Sequence, residues 1–154
     1  MNLSQNTILI TGGTSGIGRK LAESLHDLGN HVIVTGRRHT LLDEITTLRP
    51  DIFSFVLDIN DAGALNRFAE TVSQQFPELN VLIANAGISP SENVSSDGWD
   101  AKGAEAIVNT NILGVIKAAT AFMPLLRRQG QATFMATGSA LAFIPLASYP
   151  IHSA

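Results

Sequence analysis

Three glycines, Gly12, Gly16 and Gly18, stand between an apolar run, Thr7-Ile8-Leu9-Ile10-Thr11, and a helical pattern of Ile17, Leu21, Leu25 and Leu28. Strand, glycine turn and helix in that order make the geometry that grips the pyrophosphate of a dinucleotide. Gly12 suits a tight turn, because a residue without Cβ enters positive φ at little cost. Gly16 lets the backbone approach the phosphates, and Gly18 lets the helix press against the strand. The helix N-terminus then offers free N–H groups and partial positive charge to the anion.

The end of the second strand decides which dinucleotide is preferred. An acid about twenty residues after the glycines would bond the ribose hydroxyls. This chain instead has Gly36 followed by Arg37 and Arg38. No carboxylate there repels a 2′-phosphate, and a guanidinium offers it bidentate, charge-assisted bonds. One or two such bonds contribute about 2–3 kcal/mol, roughly a 30–150-fold preference. NADP(H) is therefore expected over NAD(H).

The elements that must position these groups are legible from periodicity. Strands are expected at 7–11, 31–35, 52–57, 81–84 and 132–137. Helical patterns lie between them, including Leu41, Leu42, Ile45 and Leu48, and then Leu65, Phe68, Ala69, Val72 and Phe76. A long helix is expected from about Trp99 to Arg127, with Ile107, Asn111, Val115, Ala119, Phe122 and Leu126 along its buried stripe. Apolar strands alternating with helices imply an α/β fold, a doubly wound parallel sheet with helices on both faces. Ligands bind such sheets beyond the carboxyl ends of the strands.

Composition narrows the function classes. The 154 residues are 45% apolar and 15% charged with net charge −3, as expected of one globular domain spanning 1–154. No basic cluster exceeds Arg37-Arg38 or Arg127-Arg128, so neither nucleic acid nor an anionic membrane is an expected partner. The chain has no cysteine, which excludes thiolate chemistry, and its four histidines show no ligand spacing, so no metal is expected. Lys117 and Pro124 interrupt the most apolar stretch, and the first residues lack the pattern of a signal peptide. The cytoplasm is the expected location.

The motif Thr11-Gly12-x-x-x-Gly16-x-Gly18, with Asp58, Asn85-Ala86-Gly87, Asn111 and Ser139 following in order, resembles the short-chain dehydrogenase/reductase family. The stretch Leu141-Ala142-Phe143-Ile144-Pro145-Leu146 looks most like the DltE-like oxidoreductases within it. The resemblance implies a Rossmann-like, three-layer α/β/α domain that hands hydride between nicotinamide and a carbonyl or alcohol carbon of a small molecule. It also implies roles for individual residues. Gly12, Ser15, Gly16, Ile17 and Gly18 would cradle the phosphates. Asp58, with the Ile59 backbone beside it, would receive the adenine amino group, and Asn85, Ala86 and Gly87 would lie beneath the ribose. Asn111 is a polar amide on the buried stripe, where it costs energy unless hydrogen-bonded. In the family that residue shapes the helix and holds a water in the proton path. Asn109 is read as structural.

The resemblance departs at the proton-handling residues. Ser139 fits the Ser that holds the substrate oxygen. The family's Tyr, thirteen residues further on, falls at His152, and no Tyr-x-x-x-Lys occurs in the chain. Histidine, with an ordinary pKa of about 6.5, suits acid–base work. Imidazole is shorter than phenol, however, and a misplacement of about 1 Å can cost a hundredfold. His152 is expected to be a histidine on a frayed terminus. The chain is expected to be truncated after about five strands relative to the family's domain, and weak or inactive as an enzyme. The alternative is a silent nucleotide-binding remnant. The fifth strand is expected to be an uncharged open edge, and the long helix near residues 99–127 a face for homo-oligomerisation.

Overall fold

A computed structural model describes residues 2–90, 92, 94, 95 and 98–154 of the chain. In order, the elements are β1 (Thr7–Thr11), α1 (Gly16–Asp27), β2 (His31–Gly36), α2 (His39–Leu48), β3 (Phe53–Val56), α3 (Ala62–Gln75) and β4 (Val81–Ala84). A two-residue antiparallel pair follows, β5 (Val94–Ser95) and β6 (Gly98–Trp99). Next come α4 (Ala101–Val108), a π-helical turn (Asn109–Leu113), α5 (Gly114–Leu126), β7 (Thr133–Ala136), a 3-10 turn (Ala140–Ala142) and α6 (Pro150–Ser153).

The main sheet is parallel throughout, in the order β3-β2-β1-β4-β7. Because side chains alternate across a strand, each central strand feeds two cores. Leu9, Ile33 and Leu82 meet α3 and α5 through Phe68, Val72, Ala118 and Phe122. Ile8, Ile10, Val32, Val34, Val81 and Ile83 meet α1 and α2 through Ala22, Leu25, Leu42 and Ile45. The fold is the doubly wound parallel sheet that the periodicity implies, in the Rossmann-like α/β/α form that the resemblance implies. Both edges are more open than its centre. On β7, which pairs with β4 alone among the described residues, Phe134 is 39% and Met135 47% exposed.

At the amino ends of the central strands, three amides tie the sheet together. Asn6 donates to Asn30 at 2.8 Å, and Asn80 donates to Asn6 at 3.1 Å. Each buried amide thus finds the partner that burial requires. Nearby, Arg49 at the end of α2 donates a hydrogen bond to Asp27 at 3.0 Å. That bond holds the Asp27 carboxyl below the usual carboxylate range. The tie is present in full above the ordinary Asp pKa of about 3.9 and is lost as pH falls through the lower folded value.

The single long helix expected over 99–127 is instead α4, a π turn and α5, beginning after the Asp100 cap and ending at Leu126. Its buried residues are Ile107, Thr110, Gly114, Ala118, Phe122, Leu125 and Leu126. The expected stripe through Asn111, Val115 and Ala119 is therefore displaced by one position over its middle. A 3.6-residue period mixes steps of three and four, and the three-residue step falls between Ile107 and Thr110 rather than between Ala119 and Phe122. By length and composition Ala101–Leu126 could cross a membrane, with mean hydropathy 1.4. Here Ala118, Phe122 and Leu125 are seated in the sheet's core.

Candidate active site

The turn after β1 is locked to the turn after β4. Gly12 has φ of +67°, and a Cβ added there would lie 2.8 Å from Ala86 Cα. Thr11 Oγ1 accepts the backbone N–H groups of Asn85 at 3.0 Å and Ala86 at 3.1 Å. Asn85 Nδ2 in return donates to the carbonyls of Thr11 at 3.2 Å and Gly12 at 3.1 Å. A Cβ at Gly18 would collide with the Gly12 carbonyl and Asn85 Nδ2, so α1 sits directly on this turn. In front of Gly16 there is open space, where an added Cβ would meet nothing within 4 Å. Ser15, the residue before α1, is extended and makes no side-chain cap, which leaves the first-turn amides to another acceptor. The Ser15 hydroxyl instead accepts Arg38 Nη2 at 2.7 Å.

The far end of the cleft gathers charges. Asp58, after β3, accepts the Asn60 N–H at 2.9 Å, and its other oxygen lies 4.0 Å from Arg37 Nη1. Asn60 donates to Thr110 Oγ1 at 3.1 Å, and its carbonyl accepts Lys117 Nζ at 3.3 Å. Asn60 Oδ1 is buried with no partner among the described residues. Neither Asn60 nor Thr110 stands out in the sequence, because a short polar side chain beside a strand end usually means only a turn.

At the reaction end, the π turn places Asn111 against the loop that follows β4. Asn111 Oδ1 accepts the Ile88 N–H at 2.9 Å, and Nδ2 donates to the Ile88 carbonyl at 2.9 Å. The half-buried amide is therefore satisfied, as its placement on a core helix requires. Its Nδ2 also lies 3.4 Å from His152 Nδ1. Ser139 caps the 3-10 turn, its hydroxyl accepting the Leu141 N–H at 3.2 Å. His152 is not a frayed end. It sits in α6, where Glu92 accepts the backbone N–H groups of Ile151 at 2.7 Å and His152 at 2.9 Å. Glu92 carries no motif, and the contact links residues about sixty positions apart.

One cleft of about 800 Å³ runs over the carboxyl ends of β1, β2, β4 and β7. Ser139, Asn111, His152, Gly12, Ser15, Ile17, Gly18, Arg37, Arg38, Asp58, Ile59, Asn85, Ala86 and Gly87 all line it; Gly16, also assigned to the cofactor, does not. Asn109 is exposed and lies outside the lining.

Comparison with known proteins places this geometry in context. A family model described as short chain dehydrogenase matches residues 6–154. The chain is 35% identical over 161 residues to an uncharacterised oxidoreductase, DltE, of Bacillus subtilis, covering 100% of this chain and 61% of that protein. It is 27% identical to the NADP-dependent 3-hydroxy acid dehydrogenase YdfG of Salmonella typhi, covering 96% of this chain and 59% of that one. Among solved structures, the 3-ketoacyl-(acyl-carrier-protein) reductase from Brucella melitensis complexed with NADH superposes with a TM-score of 0.90 at 20% identity, over 99% of this chain and 64% of that one. The chain spans about three fifths of the length of these relatives.

Proposed function

The chain belongs to the short-chain dehydrogenase/reductase family, and from that premise we propose that its cleft binds NADP(H) and serves hydride transfer to or from a small carbonyl or alcohol. One observation carries the reading. The glycine turn with the uncapped start of α1 and the Ser139–Asn111–His152 group open on a single cleft. When bound, the cofactor supplies or takes the hydride at nicotinamide C4. The chain's own residues bind and orient. The open space before Gly16 and the free first-turn amides fit a diphosphate, which a Cβ or a side-chain cap would displace. Asp58 and the Ile59 backbone would receive the adenine amino group, Asn85-Ala86-Gly87 would lie beneath the ribose, and Ser139 would hold the substrate oxygen. His152 stands where the family has its proton-passing Tyr.

NADP(H) over NAD(H) is supported by the absence of an acid at Gly36 and by two arginines lining the same end of the cleft. The NADP dependence in the name of the YdfG relative agrees with it. Replacing both arginines, Arg37→Ala with Arg38→Ala, is expected to weaken NADPH roughly 30–150-fold while NADH changes little. Equal losses for the two cofactors in parallel titrations would refute the preference.

The reaction is tested by following NADPH absorbance with a panel of small ketones and aldehydes. Turnover above background supports hydride transfer. It is expected to be slow, since misdirected proton transfer forfeits about 10²–10⁴ in rate. A second reading, nucleotide binding without turnover, is favoured by the imidazole at 152 in place of a phenol. Binding with no absorbance change across the panel would select it.

Self-association through the long helix is also proposed. Outside the cleft it exposes Leu113 at 39% and Ile116 at 55%, apolar surface that a monomer leaves wet. Ile116→Glu is expected to shift the chain to monomer in sedimentation, because a charge in an apolar interface must be desolvated. An unchanged sedimentation profile would place the contact elsewhere.

A further inference from the structure

The amide of Asn111 has only one workable orientation. Ile88 presents a backbone N–H and a carbonyl to it at 2.9 Å each. Turning the amide over would set donor against donor and acceptor against acceptor. Nδ2 is therefore the atom that faces His152 Nδ1 at 3.4 Å. One of its hydrogens goes to the Ile88 carbonyl, and the other is left for the imidazole. A ring nitrogen that accepts a hydrogen bond carries no proton, so the ring proton belongs on Nε2. The backbone bearing the ring is held separately, by Glu92 through the N–H groups of Ile151 and His152.

We propose that Asn111 and Glu92 clamp His152 at two points, holding its ring in the cleft as the neutral imidazole protonated at Nε2. Both act as positioning residues. Asn111 sets the tautomer and Glu92 sets the place of the ring. The clamped ring contributes a hydrogen-bond donor at Nε2 in the cleft that Ser139 also lines. A donor of that kind suits a carbonyl oxygen. This last step rests on the hydride-transfer reading given above, whereas the tautomer rests on the hydrogen-bond geometry alone.

The test is nitrogen–proton correlation NMR of the ligand-free 154-residue chain labelled with ¹⁵N-histidine. It is run at a pH of about 8, where histidine is ordinarily neutral. His152 is assigned by the signals that vanish in His152→Gln, and exposed His39 serves as the internal reference for a freely averaging ring. The clamp predicts an unprotonated Nδ1 and a protonated Nε2 at His152, resolved from the averaged values of His39. Asn111→Asp replaces the donor by an acceptor, and the proton is expected to move to Nδ1. Glu92→Gln, with an unchanged circular dichroism spectrum, is expected to draw the His152 signals towards those of His39. Wild-type His152 signals coincident with His39 would overturn the proposal. So would a tautomer unmoved by Asn111→Asp together with signals unmoved by Glu92→Gln. No cofactor enters the measurement, so its outcome is separable from that of the NADPH experiments.

Discussion

Phe122→Ala is expected to destabilise the fold by about 3–5 kcal/mol, the range for emptying a fully buried aromatic site. Phe122 is 0% exposed, and its ring lies edge-on to Phe68 with centroids 5.8 Å apart. With Ala118, Leu125 and Leu126 it seats α5 on the sheet beside α3. Domains of this kind are held by about 5–15 kcal/mol in total, so the loss would remove a large share of the stability. Urea unfolding checks it. The midpoint should fall while the denaturant slope stays the same, since the change empties a site rather than altering the surface exposed on unfolding. A shift of under about 1 kcal/mol would mean that α5 does not bear on this core.

Gly12→Ala is the second large effect, and it should appear in two measurements. At φ of +67° a residue with Cβ is strained by about 1–2 kcal/mol. The new Cβ would also stand 2.8 Å from Ala86 Cα, which is backbone fastened by Thr11 and cannot swing aside. Relieving that contact displaces the turn, and NADPH affinity is expected to fall more than tenfold, the equivalent of about 1.4 kcal/mol. Gly29→Ala is the matched control. It has φ of +82° with nothing within 4 Å of its added Cβ, and it lies away from the cleft. It should share the loss of stability and leave NADPH affinity intact. Equal effects of the two substitutions on affinity would remove the turn from the binding site.

What the chain reveals of itself before folding divides by the range of the interaction. The order of strands and helices, the two-faced burial of β1, β2 and β4, and the glycine turn all follow from spacing within about ten residues. Each of these is local. Gly12 and Gly18 could be read because a missing Cβ leaves a mark in the sequence wherever backbones approach closely. The π turn at Asn109–Leu113 could not, because nothing in Asn-Thr-Asn-Ile-Leu distinguishes an inserted helical residue from a regular one. The displaced buried stripe was equally hidden, since a 3.6-residue period leaves open which of its steps is three residues and which are four. The amide cluster of Asn6, Asn30 and Asn80 joins residues far apart in the chain, as does the hold of Glu92 on α6. Long-range polar pairs of this sort have no periodicity to betray them. The same holds for Asp58 and Arg37, assigned separately to adenine and to a 2′-phosphate, yet only 4.0 Å apart.

That proximity sharpens the electrostatics of the nucleotide end. Arg37 and Asp58 are both well exposed, so their mutual attraction is modest and screened by salt. An incoming phosphate can compete with it. Arg38, at 2.7 Å from Ser15, already stands beside the helix start proposed to hold the diphosphate.

Titration of the purified chain with NADPH, followed by nicotinamide fluorescence, tests the central claim that the glycine turn and the start of α1 grip a dinucleotide. Saturable binding displaced by ADP-ribose 2′-phosphate, which shares the diphosphate and lacks the nicotinamide, is the expected result. No binding up to millimolar NADPH, or binding that ADP-ribose 2′-phosphate leaves untouched, would contradict it.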